Sequence, residues 1–177
     1  MTDPSLTARL ARIRFLLTDV DGVLTDGRLY FDHTGNEMKV FHVLDGAAFA
    51  YWHRSGFQSG LLSGRDCPAV VHRATSSGIQ EIHLGKLDKV PALLDIKERL
   101  QLEFDEIAYI GDDLLDLPVL REVGFSVTPP NGRPELQASV HYVTETAGGF
   151  GVVREVVEMI LKAKGLWQNI LSTDGRP

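Results

Sequence analysis

Short apolar runs that stop abruptly at polar, glycine-containing turns constrain this chain more than any other feature. Residues 13–17 are apolar but for Arg14 and end in Thr18-Asp19-Val20-Asp21-Gly22. Residues 57–62 end in Ser63-Gly64-Arg65, and residues 107–110 end in Gly111-Asp112-Asp113. Residues 81–84, 125–127 and 140–143 are shorter runs of the same kind. Such runs, bounded by turn formers, read as buried strands. Between them lie stretches with helical spacing at 45–53, 89–100, 117–123 and 152–164. A further helix is expected with Asp66 as cap, Pro68 in its first turn and Gly78 at its end. Strand alternating with helix predicts an α/β fold: a single Rossmann-like, doubly wound, mainly parallel sheet with helices on both faces. Residues 28–31 and 38–43 flank the turn formers Asp32-His33-Thr34-Gly35-Asn36, which predicts a β-hairpin flap at about 27–43. Residues 1–165 then form one domain. Residues 166–177 read as a loose C-terminal tail in which Trp167 is the residue suited to dock.

Composition narrows the function classes. The chain has 177 residues, with 18 Lys and Arg against 24 Asp and Glu, a net charge of −6. An acidic balance of this kind argues against a nucleic-acid or anionic-membrane partner. The single cysteine, Cys67, excludes an intramolecular disulfide and reads as a buried thiol. No apolar run approaches the roughly 20 residues of a membrane span. Residues 1–11 lack the apolar centre of a secretory signal, so a cytoplasmic location is expected.

In doubly wound sheets, ligands bind outside the carboxyl ends of the strands. Asp19, Asp21, Ser63, Gly64, Arg65, Asp112, Asp113 and Asp116 all follow strand ends, and Lys89 follows the third. Crowded carboxylates repel one another and a divalent cation relieves that. An all-carboxylate set without Cys or His points to a hard ion, Mg²⁺ first. One of Asp19 and Asp21 can attack an electrophile while the other handles a proton. Ser63 and Lys89 suit phosphoryl oxygens. Gly149-Phe150-Gly151 lacks the third glycine and the acidic partner of a dinucleotide site, and suits a small anion at a helix start better. The six histidines show no metal-ligand spacing.

The run from Leu16 to Gly27, with Asp19-Val20-Asp21-Gly22 at its centre, resembles the first motif of the haloacid dehalogenase superfamily. Ser63-Gly64-Arg65 resembles its second, Lys89 its third, and Gly111-Asp112-Asp113-Leu114-Leu115-Asp116 its fourth, in the family's order. Gly35-Asn36-Glu37-Met38-Lys39-Val40-Phe41, Asp45-Gly46 and the stretch from Ala147 to Glu155 resemble its small capless branch, typified by phosphatases of 3-deoxy-D-manno-octulosonate 8-phosphate. Between the first two motifs there is space for the hairpin and one helix, and none for a cap domain. The resemblance implies a phosphatase of a small acid-sugar phosphate in lipopolysaccharide biosynthesis. Asp19 is then the nucleophile that becomes aspartyl-phosphate, and Asp21 the acid and base. It implies Mg²⁺ on the Asp19 carboxylate, the Asp21 backbone carbonyl and the Asp112 carboxylate, with Asp113 and Asp116 supporting. Phosphate and substrate contacts fall to Ser63, Gly64, Arg65, Arg73, Lys89, Asp45, Gly46 and His42. It further implies a homotetramer assembled through the hairpins, with a neighbouring subunit helping to close the site and residues 148–151 near substrate.

Three positions depart from the family pattern. His42 and Leu44 stand where Asn and Arg are usual, and Ala50 where a further Arg is. Loss of two cations weakens recognition of a carboxylate, which leaves a 9-carbon acid-sugar phosphate as an alternative substrate. Two readings of other classes stand beside the enzyme. A phospho-accepting receiver module shares the chemistry but carries adjacent acids after its first strand, where this chain has Asp-x-Asp. A catalytically idle binding module need not retain Asp19, Asp21, Lys89 and Asp112 together.

Overall fold

The computed structural model describes residues 4–173. Six strands form one parallel sheet: β1 (Phe15–Thr18), β4 (Gln58–Leu62), β5 (Glu81–His83), β6 (Ile107–Ile110), β7 (Phe125–Thr128) and β8 (Tyr142–Val143). Their order is β5-β4-β1-β6-β7-β8. Two very short antiparallel strands, β2 (Tyr30–Phe31) and β3 (Glu37–Met38), make the separate hairpin.

The strands read as near-continuous apolar runs because both faces of the sheet are covered. Alternate residues serve opposite faces. Leu16, Ala108 and Ile110 pack with α1 (Pro4–Arg12), α2 (Val43–Arg54), α3 (Pro68–Ser76) and α7 (Val152–Ala163). Phe15, Leu17, Ile107 and Tyr109 pack with α4 (Val90–Arg99), α5 (Leu117–Glu122) and the short α6 (Pro134–Gln137). In α7, Val152, Val153, Val156, Val157, Ile160 and Leu161 are all buried, a single stripe that lies along α2.

The structure refines several expectations. The hairpin is where the sequence places it, but its ladder is shorter. Asp32 accepts bonds from the Thr34 and Asn36 amides at 2.8 and 2.9 Å and so closes the turn. The chain leaves the ladder at Lys39, whose ammonium is bound to Asp21 and Glu37. Helix α2 begins at Val43, with His42 as its cap: Nδ1 accepts from the Leu44 amide at 3.3 Å. Asp66 does not cap α3. Cys67 takes that position without a side-chain bond, and Pro68 follows at the first helical position, where no amide is required. Cys67 is buried and free.

The segment 165–173 is a correction of the loose tail, whose remaining residues, 174–177, lie outside the described residues. Gly165 ends α7 at φ +72°, and a further helix, α8 (Trp167–Ser172), folds back on the core. Trp167 and Ile170 are buried. Trp167 meets Tyr51 edge-on at 5.9 Å, and Arg154 lies 4.9 Å from the Tyr51 ring centre and 5.3 Å from that of Trp167. Burying one such aromatic contributes about 1.5–3 kcal/mol, enough to hold a two-turn helix. Among the described residues no helix is long and apolar enough to cross a membrane.

Candidate active site at the carboxyl edge of the sheet

The strand order reverses at β1 and β6: β4 and β5 lie to one side, β7 and β8 to the other. At this topological switch point a crevice opens above the strand ends. Asp19 follows β1 and Asp112 follows β6, so the central pair of strands delivers both carboxylates. The crevice is a cleft of about 250 Å³ lined by Asp19, Asp21, Ser63, Arg65, Lys89 and Asp112, with Gly22, Gly64 and Asp113 beside them.

Lys89, just before α4, is buried with its ammonium at the floor of this cleft. Nζ lies 3.0 Å from Asp19 Oδ2, 2.5 Å from Asp116 Oδ1 and 3.1 Å from the Tyr109 hydroxyl, so all three of its protons are used. Asp116 is fully buried and both its oxygens are engaged. Oδ1 accepts from Lys89 and, at 2.5 Å, from Tyr109; Oδ2 accepts from the Asp112 and Asp113 amides at 2.9 and 3.1 Å. Asp116 thus sets both the lysine and the backbone of the loop that carries Asp112. Asp113 is exposed and caps the following turn through the Leu114 amide at 2.7 Å.

Electrostatics at this edge are unfavourable without a cation. Burial, then the charge of Asp116, push the Asp19 carboxyl up to about 7, against the pull of Lys89. Burial, then Asp19 and Asp116, push Asp112 up to about 8. Carboxylate oxygens of Asp19, Asp112 and Asp116 lie within 4.8 Å of one another. Asp112 Oδ1 is buried with no hydrogen-bond partner. Gly22, at φ +84°, brings its backbone so close that a Cβ there would stand 2.0 Å from Asp112 Oδ2. An unpartnered carboxylate oxygen beside a second ionisable carboxyl suits a hard divalent cation. Asp116 does not line the cleft, whereas Asp19, with its oxygens on the Val20 amide at 2.6 Å and on Lys89, and Asp112, with Oδ1 unpartnered, both do.

Asp21 faces the cleft from the loop after β1. Its Oδ1 accepts from the Lys39 ammonium, and its Oδ2 lies 3.5 Å from Arg65 Nε. Arg65 Nη2 also donates to Glu37 Oε2 at 2.7 Å. Ser63, after β4, is buried at the cleft floor, with its Oγ accepting from the Arg65 amide at 3.2 Å. Gly64 presents only backbone, with Leu87 and Leu115 in contact range of the place a Cβ would take.

Four of the expected site residues lie elsewhere. His42, Asp45, Gly46 and Arg73 are not among the residues lining the cleft. Asp45 is buried, and its Oδ1 accepts from the Arg154 amide at 3.1 Å, which fixes the first turn of α7 to α2. Burial pushes its carboxyl up to about 6. Arg73 Nη2 donates to the His42 carbonyl at 3.2 Å and fills the space over Gly46, where a Cβ would stand 2.4 Å away. Leu44 and Ala50 are exposed and bring no charge to the cleft.

Sequence reasoning passed over other contributors. Asn131 Nδ2 donates to the Gly22 carbonyl at 2.9 Å, and its Oδ1 accepts from the Gly148 amide at 2.6 Å. The Gly149 amide bonds the Val23 carbonyl at 2.9 Å. The glycine stretch therefore braces the Asp19–Gly22 loop. Lys39 and Glu37 were legible only as two charges of one strand face, the period-two signal of a pair that acts together. Tyr109 read as one more apolar strand residue.

A doubly wound sheet with an aspartate after its first strand, a hydroxyl and a lysine around it and an acidic loop opposite is, with the likenesses that follow, that of a phosphoric monoester hydrolase. The signature of the haloacid dehalogenase-like hydrolases matches residues 64–156. The 3-deoxy-D-manno-octulosonate 8-phosphate phosphatase KdsC of Yersinia pestis is 40% identical over 156 residues, 88% of this chain and 83% of that protein. A probable YrbI-family phosphatase of Pseudomonas syringae superposes with a TM-score of 0.95 at 39% identity, over 99% of each chain. The 3-deoxy-D-manno-octulosonate 8-phosphate phosphatase of Moraxella catarrhalis, in complex with a magnesium ion, a phosphate ion and the KDO sugar, superposes at 0.95 with 37% identity, over 98% of this chain and 99% of that one. The chain belongs to the haloacid dehalogenase-like hydrolases, in the branch of these phosphatases.

Proposed function

We propose that the chain hydrolyses 3-deoxy-D-manno-octulosonate 8-phosphate to the free sugar acid and phosphate, with Mg²⁺ as cofactor. The observation that carries this reading is the pairing of Asp19 with Lys89 at 3.0 Å, across from an Asp112 oxygen that has no partner. The likeness to the Moraxella enzyme, seen with magnesium, phosphate and the sugar, supports it. Mg²⁺ would be held by the Asp19 and Asp112 carboxylates and the Asp21 backbone carbonyl. Bound there it cancels carboxylate repulsion and draws charge from the phosphoryl oxygens.

The chain's own residues then divide the work. The Ser63 hydroxyl holds one phosphoryl oxygen, and Lys89 turns the proton it gives Asp19 toward another as phosphate enters, with Arg65 at the rim toward the sugar. An Asp19 oxygen attacks phosphorus as the ester P–O bond breaks, and the proton of the Asp21 carboxyl passes to the leaving sugar oxygen. Asp21, now a carboxylate, takes a proton from water. That water displaces phosphate from Asp19 and restores it. Phosphoryl transfer of this kind depends mainly on positioning and charge neutralisation, and the buried Lys89, held from behind by Asp116 and Tyr109, suits both.

The same reading assembles four copies through the hairpin, where Phe31, Met38 and Val40 stand exposed. It assigns Arg73, His42, Asp45 and Gly46 to substrate contact. The uncharged Leu44 and Ala50 leave open a second substrate, a 9-carbon keto-acid sugar phosphate or another small phosphate ester. Phosphate release with Mg²⁺ from a panel of 8- and 9-carbon acid-sugar phosphates and neutral hexose phosphates tests both. The expected result is preference for the 8-carbon acid, lost in Asp19→Asn. Preference for another ester moves the substrate and keeps the chemistry. Absence of turnover by folded, Mg²⁺-loaded protein overturns the reading in favour of a binding module.

A further inference from the structure

Lys39 is an anomaly of the hairpin. Its neighbours Met38 and Val40 are 53% and 63% exposed, yet the Lys39 side chain is 2% exposed. A buried ammonium is costly unless paired. Its partners are Asp21 Oδ1 and, at 2.9 Å, Glu37 Oε1. Glu37 in turn accepts from Arg65 at 2.7 Å, and Arg65 closes the ring 3.5 Å from Asp21 Oδ2. Two cations and two carboxylates therefore alternate around a ring that joins the hairpin to the loop after β1.

One oxygen of Asp21 is left over. With Oδ1 taken by Lys39, Oδ2 is buried and accepts no hydrogen bond. The hairpin, with two residues in each strand, has little ladder of its own to hold it. Its firmest attachment is thus to a carboxylate of the cleft.

We propose that Lys39 is the positioning residue for Asp21, so that docking of the hairpin sets the oxygen that delivers the proton to the leaving group. This rests on the phosphatase reading above and deepens it. As the Asp19 oxygen bonds to phosphorus and the ester P–O bond breaks, its electron pair stays on the sugar oxygen. That oxygen takes the proton from Asp21 Oδ2. Lys39 fixes Oδ1, which leaves Oδ2, the oxygen without a hydrogen bond, as the one free to serve the leaving group.

The test compares two esters. A sugar phosphate loses a poor leaving group that needs the proton, whereas 4-nitrophenyl phosphate loses a phenolate that does not. We would measure kcat/KM, which covers steps up to departure of the leaving group, for wild type, Lys39→Met and Lys39→Arg on both. Lys39→Met is expected to lower kcat/KM for the sugar phosphate about 10–100-fold, part of the roughly 10²–10⁴-fold that acid–base catalysis contributes, and to change the nitrophenyl ester by less than about 3-fold. Lys39→Arg should recover most of the loss, and amide exchange at residues 30–38 should quicken in Lys39→Met. Equal losses on both esters, or full retention on the sugar phosphate, overturn the proposal. Where Lys39→Met fails to fold, the same ratio read on Glu37→Gln, which removes the charge that holds Lys39 on Asp21, decides it. Wild type inert toward both esters overturns the phosphatase reading and this proposal together, whereas active wild type with an indifferent Lys39→Met overturns the proposal alone.

Discussion

Asp116 and Asp32 make the same number of bonds in opposite surroundings. Asp116, at the sheet edge, accepts from Lys89, Tyr109 and two backbone amides, and no solvent reaches it. Asp32, at the exposed hairpin tip, accepts from the Thr34 amide and hydroxyl and from the Asn36 amide and side chain. Those bonds, the Thr34 hydroxyl first, hold the Asp32 carboxyl down to about 2. At the tip, water replaces any bond that breaks. At the sheet edge nothing does, and an orphaned partner keeps its full desolvation penalty. One region is therefore fixed by its own interior, while the other depends on what it is attached to.

The sharpest way to break the comparison is Asp116→Ala. It leaves a buried ammonium, a phenol and two amides short of an acceptor, and is expected to cost about 3–5 kcal/mol. For a domain of this size that is a fall in Tm of about 10 °C, read by calorimetry, with activity lost as Lys89 and Asp112 shift. An effect of intermediate size comes from pH. Asp19 and Asp112 have folded-state values of about 7 and about 8, above the 3.8 of the unfolded chain. Between those limits the folded state holds protons that the unfolded state has released, so stability falls as pH rises. The Tm of chelator-treated protein should therefore decline from about pH 5 to about pH 8 and level off above. Excess Mg²⁺ should flatten the decline, and a flat metal-free profile would count against the crowded-carboxylate account. The smallest effect is expected at Asp32→Ala. Tm should stay within about 2 °C of wild type, while amide exchange at residues 33–36 quickens. A drop as large as that of Asp116→Ala would mean the hairpin supports the core, against the contrast drawn above.

What the sequence made legible follows the same division. Strand ends announce themselves, because an apolar run that stops at Asp19, Ser63 or Asp112 marks both a fold edge and a reactive group. The parallel sheet and its carboxyl-edge cleft followed from that alternation alone. Long-range partners left no such mark. Asp45 stands in an Asp-Gly pair that looked like substrate chemistry, and its observed partner is the amide of Arg154, 109 positions away. The helix at Trp167–Ser172 was missed because its two buried residues, Trp167 and Ile170, are too few to show a period. Lys39 was legible as one charge of a pair with Glu37, but not its burial, because burial of a charge is visible only with its counter-ions in place.

The bond from Asn131 to the Gly22 carbonyl spans 109 positions, and Gly148 presses on that same carbonyl so closely that a Cβ there would stand 1.8 Å from it. A chain emerging from the ribosome has thus made Asp19 and Lys89 long before it makes the clasp that shapes the loop after β1. Helices α2, α3 and α4 can begin to form during synthesis, but that loop waits for the final third of the polypeptide. Prematurely terminated chains therefore carry the aspartates of the cleft without the clasp that shapes it, and the cleft is complete only once the glycine stretch has been made.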